Sequence, residues 1–172
     1  DDVGPPQRIR WHDGPEYGRS KALSPSFTNM VSAGGLLFTI EDHATTEDVN
    51  APVEYHLVAR DAFNGVHLWQ TPMKRWSEWQ TNSIKSVPTQ QQRLLAAIGS
   101  SVYAVLEFGG PVVAVEAGSG KQQRVFSHTE RTTEFAIDGP VLYGVRGTAY
   151  KIAKSKGALA TTDVELYALN IE

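Results

Sequence analysis

The densest group of metal-ligand side chains lies in one polar stretch of the sequence. It contains Glu41, Asp42, His43, Glu47 and Asp48. Carboxylates beside one imidazole favour a hard divalent ion, so calcium is the first candidate. The spacing matches neither an EF-hand nor a zinc signature, and the simpler alternative is a solvated loop between strands. We keep a metal site at Glu41, Asp42 and His43 as a hypothesis, but we expect the stretch to be a solvated loop that binds no metal.

A second polar group lies between glycines near the N-terminus. It consists of His12, Asp13, Glu16, Tyr17 and Arg19. Loops of this kind, when held by a rigid scaffold, often contact a ligand. We therefore predict ligand binding at His12, Asp13 and Arg19. The alternative is a turn that directs the chain into its first strand.

Two tryptophans flank charged residues between Arg75 and Trp79. Tryptophan beside arginine is typical of interaction hot spots, and aromatic faces also stack on planar or apolar ligand surfaces. Trp76 and Trp79 are therefore candidate ligand-binding residues, and a lectin-like carbohydrate binder is one function they allow. Packing in the core is the alternative for both.

Composition argues against several functional classes. The sequence of 172 residues contains no cysteine, which excludes disulfides, zinc–thiolate sites and cysteine nucleophiles. It has no Gly-x-Ser-x-Gly elbow, P-loop or Gly-x-Gly-x-x-Gly fingerprint, so we name no catalytic residue and regard a non-enzyme as the better interpretation. A net charge of −3 gives no basic footprint for nucleic acid. No apolar run reaches the about 20 residues that span a bilayer.

The elements that position these groups are predicted to be short β-strands. Apolar runs of four to seven residues alternate with turn signals such as Gly34-Gly35, Asn64-Gly65, Gly99-Ser100 and Asp138-Gly139. Strands with turns every 8–12 residues or so predict an all-β repeat protein. The segment 147–162, which contains three lysines, is predicted to be a loop.

A motif recurs about every 55 residues and is most complete around the Asn64-Gly65 turn. The recurring residues are Ala59, Asp61, Gly65 and Trp69 in the first copy, Ala114, Glu116 and Gly120 in the second, and Ala168 in the third. The acidic side chain can accept hydrogen bonds from turn amides, and the glycine takes the left-handed conformation. The tryptophan provides a large plate for packing, although the second copy has Arg124 in its place.

This spacing resembles the tryptophan-docking repeat of the PQQ-like, or quinoprotein-type, β-propellers, with Asn64 at the usual threonine position. The resemblance implies blades of four antiparallel strands and about three blades in one propeller segment, residues 1–172. We expect a leading strand and loop in 1–25, blades in 26–73 and 74–129, and an incomplete blade in 130–172. A short strand is expected at Gln7–Trp11.

The resemblance implies a fold and does not transfer the catalytic site. Quinoprotein alcohol dehydrogenases hold the quinone against a vicinal cysteine pair, which this sequence lacks. It implies instead a non-catalytic scaffold or a ligand- or protein-binding module in the periplasm or outside the cell, without PQQ. A part of a larger quinoprotein-like oxidoreductase is the alternative. Because the third blade lacks an outer strand that Gln7–Trp11 could supply, we expect ring closure with copies of the chain or with another propeller chain. The rival interpretation is a piece of a longer propeller polypeptide.

Overall fold

The computed structural model describes residues 9–19, 26–76, 93–151 and 159–172, and gives only the backbone of 148–151 and 159–162. Within these ranges the fold is all-β, with three antiparallel sheets and no α-helix. No helix in the described parts of the chain is long and apolar enough to cross a membrane.

The first sheet has four strands that follow one another in sequence order. They are β1 (Phe27–Ala33), β2 (Leu36–Asp42), β3 (Tyr55–Asp61) and β4 (His67–Pro72). Tight turns join β1 to β2 and β3 to β4, and the glycine of the second turn, Gly65, has a φ of +78°. Because a β-carbon strongly disfavours this conformation, glycine suits the position.

The second sheet repeats this order. Its strands are β5 (Leu95–Ile98), β6 (Ser101–Val105), β7 (Val112–Glu116) and β8 (Gln122–Val125). The turn between β7 and β8 again places a glycine, Gly120, at positive φ, here +74°.

The third sheet contains β9 (Thr132–Asp138), β10 (Val141–Lys151) and β11 (Leu159–Asn170) in the order β11-β10-β9. The predicted loop at 147–162 is wrong at both ends, because β10 and β11 extend into it and pair as far as Lys151 and Leu159. Threonine and tyrosine favour extended backbone, so Tyr150 and the threonines of this segment fit strands. The lysines, on which the loop prediction depended, gave no sign of this. At the other end of the chain, residues 9–11 are not in a strand, whereas Gln7 and Arg8 lie outside the described ranges.

The three sheets share one register. Phe38, Tyr103 and Tyr143 pair with Ala59, Ala114 and Ala168, respectively. The residue after the acidic or amide position then bonds to the first hairpin of its own sheet in each case. The amides of Ala62, Ala117 and Ile171 donate to the carbonyls of Gly35, Ser100 and Pro140 at 2.9, 2.8 and 2.9 Å. The sheets are therefore three copies of one structural unit, the last of them three-stranded.

One apolar core runs through the three sheets and includes Phe38, Leu57, Trp69, Val102 and Leu142. The inner strands β1, β5 and β9 are neighbours in that order, so the sheets follow one another in space as they do in sequence. Within the described ranges the three sheets form an open series and do not close into a ring.

Candidate functional site

The first and second sheets are joined by Trp69. Its indole Nε1 donates to the Ala117 carbonyl at 2.8 Å, and its ring lies over the turn glycine Gly120. A β-carbon at Gly120 would lie 2.7 Å from the indole, which is shorter than van der Waals contact permits. Glycine is thus needed for both the backbone conformation and the close approach of the ring.

Trp11 makes the same contact on the first sheet. Its Nε1 donates to the Ala62 carbonyl at 3.1 Å, and a β-carbon at Gly65 would lie 2.6 Å from the ring. The Asp61 carboxylate fixes the turn below by accepting the amides of Phe63 at 2.8 Å and Asn64 at 3.0 Å. Trp11 therefore lies where the outer strand of a preceding sheet would place its docking residue.

The third equivalent contact uses Arg124. Arg124 pairs with Ala114 as Trp69 pairs with Ala59, so the two residues occupy one position of the repeat. Its Nη1 donates to the carbonyls of Ile171 and Glu172, each at 3.1 Å, and its guanidinium lies 4.8 Å from the centre of the Phe126 ring. The Ile171 carbonyl corresponds to those of Ala62 and Ala117. The same docking position is therefore occupied twice by tryptophan and once by arginine.

A buried charge cluster centres on Glu41 and Arg60. Glu41 is fully buried and accepts hydrogen bonds from Arg60 and Thr39, with His43 Nε2 at 3.2 Å. Arg60 Nε also donates to the Asp13 carboxylate at 2.6 Å. A buried charge is tolerated only when it is paired and hydrogen-bonded, and this cluster meets both conditions.

The pKa values in this cluster follow from those contacts. Burial alone would raise the pKa of Glu41, but hydrogen bonds from His43, Arg60 and Thr39 outweigh it and lower the pKa to about 2. The hydrogen bond from Arg60 lowers the pKa of Asp13 as well. Burial would lower the pKa of Arg60, and its bonds to Glu41 and Asp13 instead raise it. All three groups are therefore charged at neutral pH.

Asp42 belongs to a separate cluster with Arg19. Arg19 donates to the Asp42 carboxylate at 2.7 and 3.2 Å, and to the carbonyls of Asp48, Ala51 and Pro52 at 2.9, 3.2 and 3.0 Å. The second oxygen of Asp42 accepts the amides of Ala44 and Glu54 at 3.1 and 2.9 Å. This cluster fastens the N-terminal segment to the insertion between β2 and β3.

The predicted metal-site residues do not converge on one point, although His43 contacts Glu41. Successive side chains of a strand point to opposite faces, so Glu41 meets Arg60 while Asp42 meets Arg19. Glu47 is exposed, and Asp48 accepts the amide of Asn50 at 2.8 Å. Over the described residues, no three histidine, aspartate or glutamate side chains are placed to hold a metal ion.

The predicted ligand residues are only partly brought together. His12 and Asp13 line an open hollow of about 620 Å³ beside the exposed Phe27, whereas Arg19 is buried against Asp42 and does not line it. The structure thus keeps two of these residues near one surface and assigns the third to an internal ion pair.

Trp76 is buried and has no free face. Its Nε1 donates to the Val105 carbonyl at 3.1 Å, and Tyr55 packs edge-on at 5.3 Å between ring centres. Stacking on a sugar would require it to leave this position. Trp79 lies outside the described residues.

Sequence reasoning did not identify Arg60 as the partner of Glu41. The available signal was a charged residue near the end of the apolar run Leu57–Ala59, since arginine is almost never fully buried unless it is paired. A buried arginine on β3 needs a carboxylate within reach, and Glu41 on the neighbouring strand β2 provides it, although Arg60 lies opposite Leu37 in the register.

Comparisons with known proteins give little beyond this geometry. No family model matches the chain, and no curated protein matches it. Among solved structures, the chain is similar to a europium-containing methanol dehydrogenase with a TM-score of 0.49 and 12% identity, over 94% of this chain and 28% of that one. The chain thus spans little more than a quarter of that protein's length. A likeness at this level carries no information about activity.

Proposed function

We propose that the protein is a non-catalytic scaffold or binding module of the PQQ-like β-propeller type, which closes a ring with other chains. The observation that carries the proposal is the docking contact made in turn by Trp11, Trp69 and Arg124. Each contact joins a side chain at one repeat position to a carbonyl at the equivalent position of the following sheet.

A contact of this kind can repeat from one sheet to the next. Each sheet offers a docking side chain towards the next sheet and a turn carbonyl towards the previous one. The inner strands β1, β5 and β9 also border one open hollow of about 590 Å³, which fits sheets arranged around an axis. Ring closure satisfies every such contact and leaves no unpaired sheet face, so it is the arrangement the repeat favours.

The buried carboxylates support a structural role. Glu41 and Asp42 are each held in a buried ion pair, with Arg60 and Arg19 respectively. A catalytic acid or base normally has a pKa near its working pH, whereas the pKa of Glu41 is held near 2. Trp76 supports the scaffold over the lectin-like alternative, because its indole is used for internal packing.

Multi-angle light scattering tests the ring. We expect a particle with an integral multiple of the chain mass, stable on dilution. A monomer at all concentrations contradicts ring closure between copies, and a second, different polypeptide in native material would identify the partner as another propeller chain.

Reconstitution tests the absence of catalysis. The protein is incubated with PQQ and calcium, and oxidation of primary alcohols is followed with an artificial electron acceptor, beside an authentic quinoprotein alcohol dehydrogenase. We expect no turnover and no quinone absorbance after gel filtration. Stoichiometric quinone binding with turnover would refute the proposal in favour of the oxidoreductase.

A further inference from the structure

Two histidines lie side by side where β2 ends and β3 begins. His43 directly follows β2, and its amide donates to the Glu54 carbonyl at 2.9 Å, which continues the pairing with β3 by one residue. His56 lies on β3 opposite Glu41. Because side chains alternate along a strand, Glu41, His43 and His56 share one face of the first sheet.

Each imidazole is held through one of its two ring nitrogens. Nε2 of His43 lies 3.2 Å from the Glu41 carboxylate, and Nδ1 of His56 lies 3.1 Å from the Glu54 carbonyl. That carbonyl is the one that also accepts the His43 amide. Both rings are therefore fixed relative to the same pair of strands.

These contacts determine the tautomer of each neutral ring. A carbonyl oxygen can only accept a hydrogen bond, and so can the Glu41 carboxylate, whose pKa of about 2 keeps it ionised at neutral pH. The ring proton must therefore lie on Nε2 of His43 and on Nδ1 of His56. A lone pair remains on the other nitrogen of each ring, and neither of these atoms has a hydrogen-bond partner among the residues that the structure describes.

This arrangement is the one that metal-bound histidines adopt. The outer hydrogen bond to a carboxylate or carbonyl fixes the tautomer and makes the free nitrogen more basic. Zinc–nitrogen bonds of about 2.0–2.1 Å place each ring centre about 3 Å from the ion, so two rings that share a tetrahedral ion lie about 5 Å apart. The centres of the His43 and His56 rings lie 5.2 Å apart, with an angle of 65° between the planes.

The surroundings of the two rings favour a cation. Asp13, Glu41 and Arg60 are all charged, so the cluster beside the rings carries one net negative charge. The His43 side chain is 23% exposed and His56 is half-buried. Water can therefore reach the free nitrogens and complete the coordination of an ion bound there.

We propose that His43 and His56 together bind one zinc ion, through Nδ1 and Nε2, respectively, with water in the remaining positions. Imidazole suits zinc, copper and nickel, whereas calcium prefers oxygen ligands. Glu41 orients His43 and does not touch the ion, so the site differs from the calcium hypothesis and is independent of ring closure. Bound zinc would join the two ends of the insertion between β2 and β3.

Titration calorimetry with zinc chloride tests the site. Two protein ligands hold zinc less firmly than the three or four of resident sites, so the full chain is first freed of metal with EDTA and zinc is then added. We expect one zinc ion per chain, and no binding of calcium. His43→Gln and His56→Gln should each weaken zinc binding by at least about tenfold, since even an outer partner of a ligand is worth about 10–100-fold.

The matched control is His67→Gln, which removes an exposed histidine of β4 and should leave the zinc affinity unchanged. Absence of saturable zinc binding would overturn the proposal. So would equal losses in all three variants, or a loss confined to only one of His43→Gln and His56→Gln, because a shared ion needs both rings and no other histidine.

Nitrogen NMR of the histidine rings tests the same claim in the unaltered protein, so its outcome does not depend on whether a variant folds. Zinc should shift the signals of Nδ1 in His43 and Nε2 in His56, and leave the other three rings, those of His12, His67 and His128, unchanged. Shifts only at those three would identify adventitious surface binding, and shifts at the opposite nitrogens of His43 and His56 would contradict the geometry. Either result would overturn the site.

Discussion

Trp69 and Arg124 occupy the same position in two successive sheets and reach equivalent carbonyls, yet they build different joints. Trp69 is buried, donates to Ala117 at 2.8 Å and lies on a glycine. Arg124 is exposed and makes two bonds of 3.1 Å to Ile171 and Glu172. The repeat position thus determines where the hydrogen bond goes, and the residue type determines how much surface is removed from water.

The comparison predicts that the two joints differ in strength. Burying an indole removes a large apolar area from water, whereas an exposed hydrogen bond exchanges one partner for water with little net gain. The joint between the first two sheets should therefore stabilise the fold more than the joint between the second and third.

The largest effect is expected for Trp69→Ala. Loss of the buried indole and its bond to Ala117 should reduce the free energy of unfolding by about 3–5 kcal/mol, the range for a large core aromatic. Urea unfolding followed by circular dichroism measures it. An unchanged urea midpoint would show that Trp69 is not the main contact between the first two sheets.

The buried ion pair of Glu41 with Arg60 should respond to acid, unlike the apolar contact at Trp69. The pKa of Glu41 is about 2 in the folded protein against 4.5 ordinarily, so its stabilisation is complete above about pH 4.5 and is lost as the pH falls towards 2. The linked loss is about 2–3 kcal/mol. Melting temperatures between pH 6 and 2.5 measure it.

Two variants control this prediction. Glu41→Gln should flatten the acid branch of the stability profile, whereas Glu134→Gln, which removes an exposed carboxylate beside Arg93, should leave it unchanged. Parallel profiles for the unaltered protein and Glu41→Gln would show that the acid sensitivity arises elsewhere.

An intermediate effect is expected for Gly120→Ala. The new methyl group meets the indole of Trp69 at a φ of +74°, and the conformation alone costs about 1–2 kcal/mol. Gly118→Ala, where a β-carbon meets nothing within 4 Å, is the matched control and should be nearly neutral. Equal melting points for the two variants would contradict the tight approach of Trp69.

A small effect is expected for Arg124→Ala. Because the guanidinium is exposed, losing its bonds to the two carbonyls and its contact with the Phe126 ring should cost about 1 kcal/mol at most. The same urea titration used for Trp69→Ala gives the ratio between the joints. A loss as large as that of Trp69→Ala would show that the arginine joint is buried in solution.

The smallest effect is expected from metal removal. Since arginines neutralise Glu41 and Asp42, EDTA or added calcium should not shift the melting temperature. A rise of several degrees with millimolar calcium would restore the metal hypothesis for Glu41, Asp42 and His43.

The sequence predicted the all-β class and most strand positions because turn glycines and apolar alternation are local signals. It missed the extension of β10 and β11 into 147–162, since long hairpin arms are stabilised by cross-strand pairing that composition does not show. The metal-site hypothesis grouped Glu41 with Asp42 because they are adjacent in sequence, although their side chains point to opposite faces of β2. The pairing of Arg60 with Glu41 and Asp13 depends on residues up to 47 positions apart and required the fold.

The buried arginine has a consequence for folding fidelity. Three sheets with one register can in principle stack in a wrong order, and Arg60 breaks that degeneracy, because its equivalents are Val115 and Leu169. A sheet that displaced Asp13 from the first sheet would leave a guanidinium with half its compensation, at a cost of several kcal/mol. Misordered stacks are therefore penalised at the first sheet, even though the three units are alike.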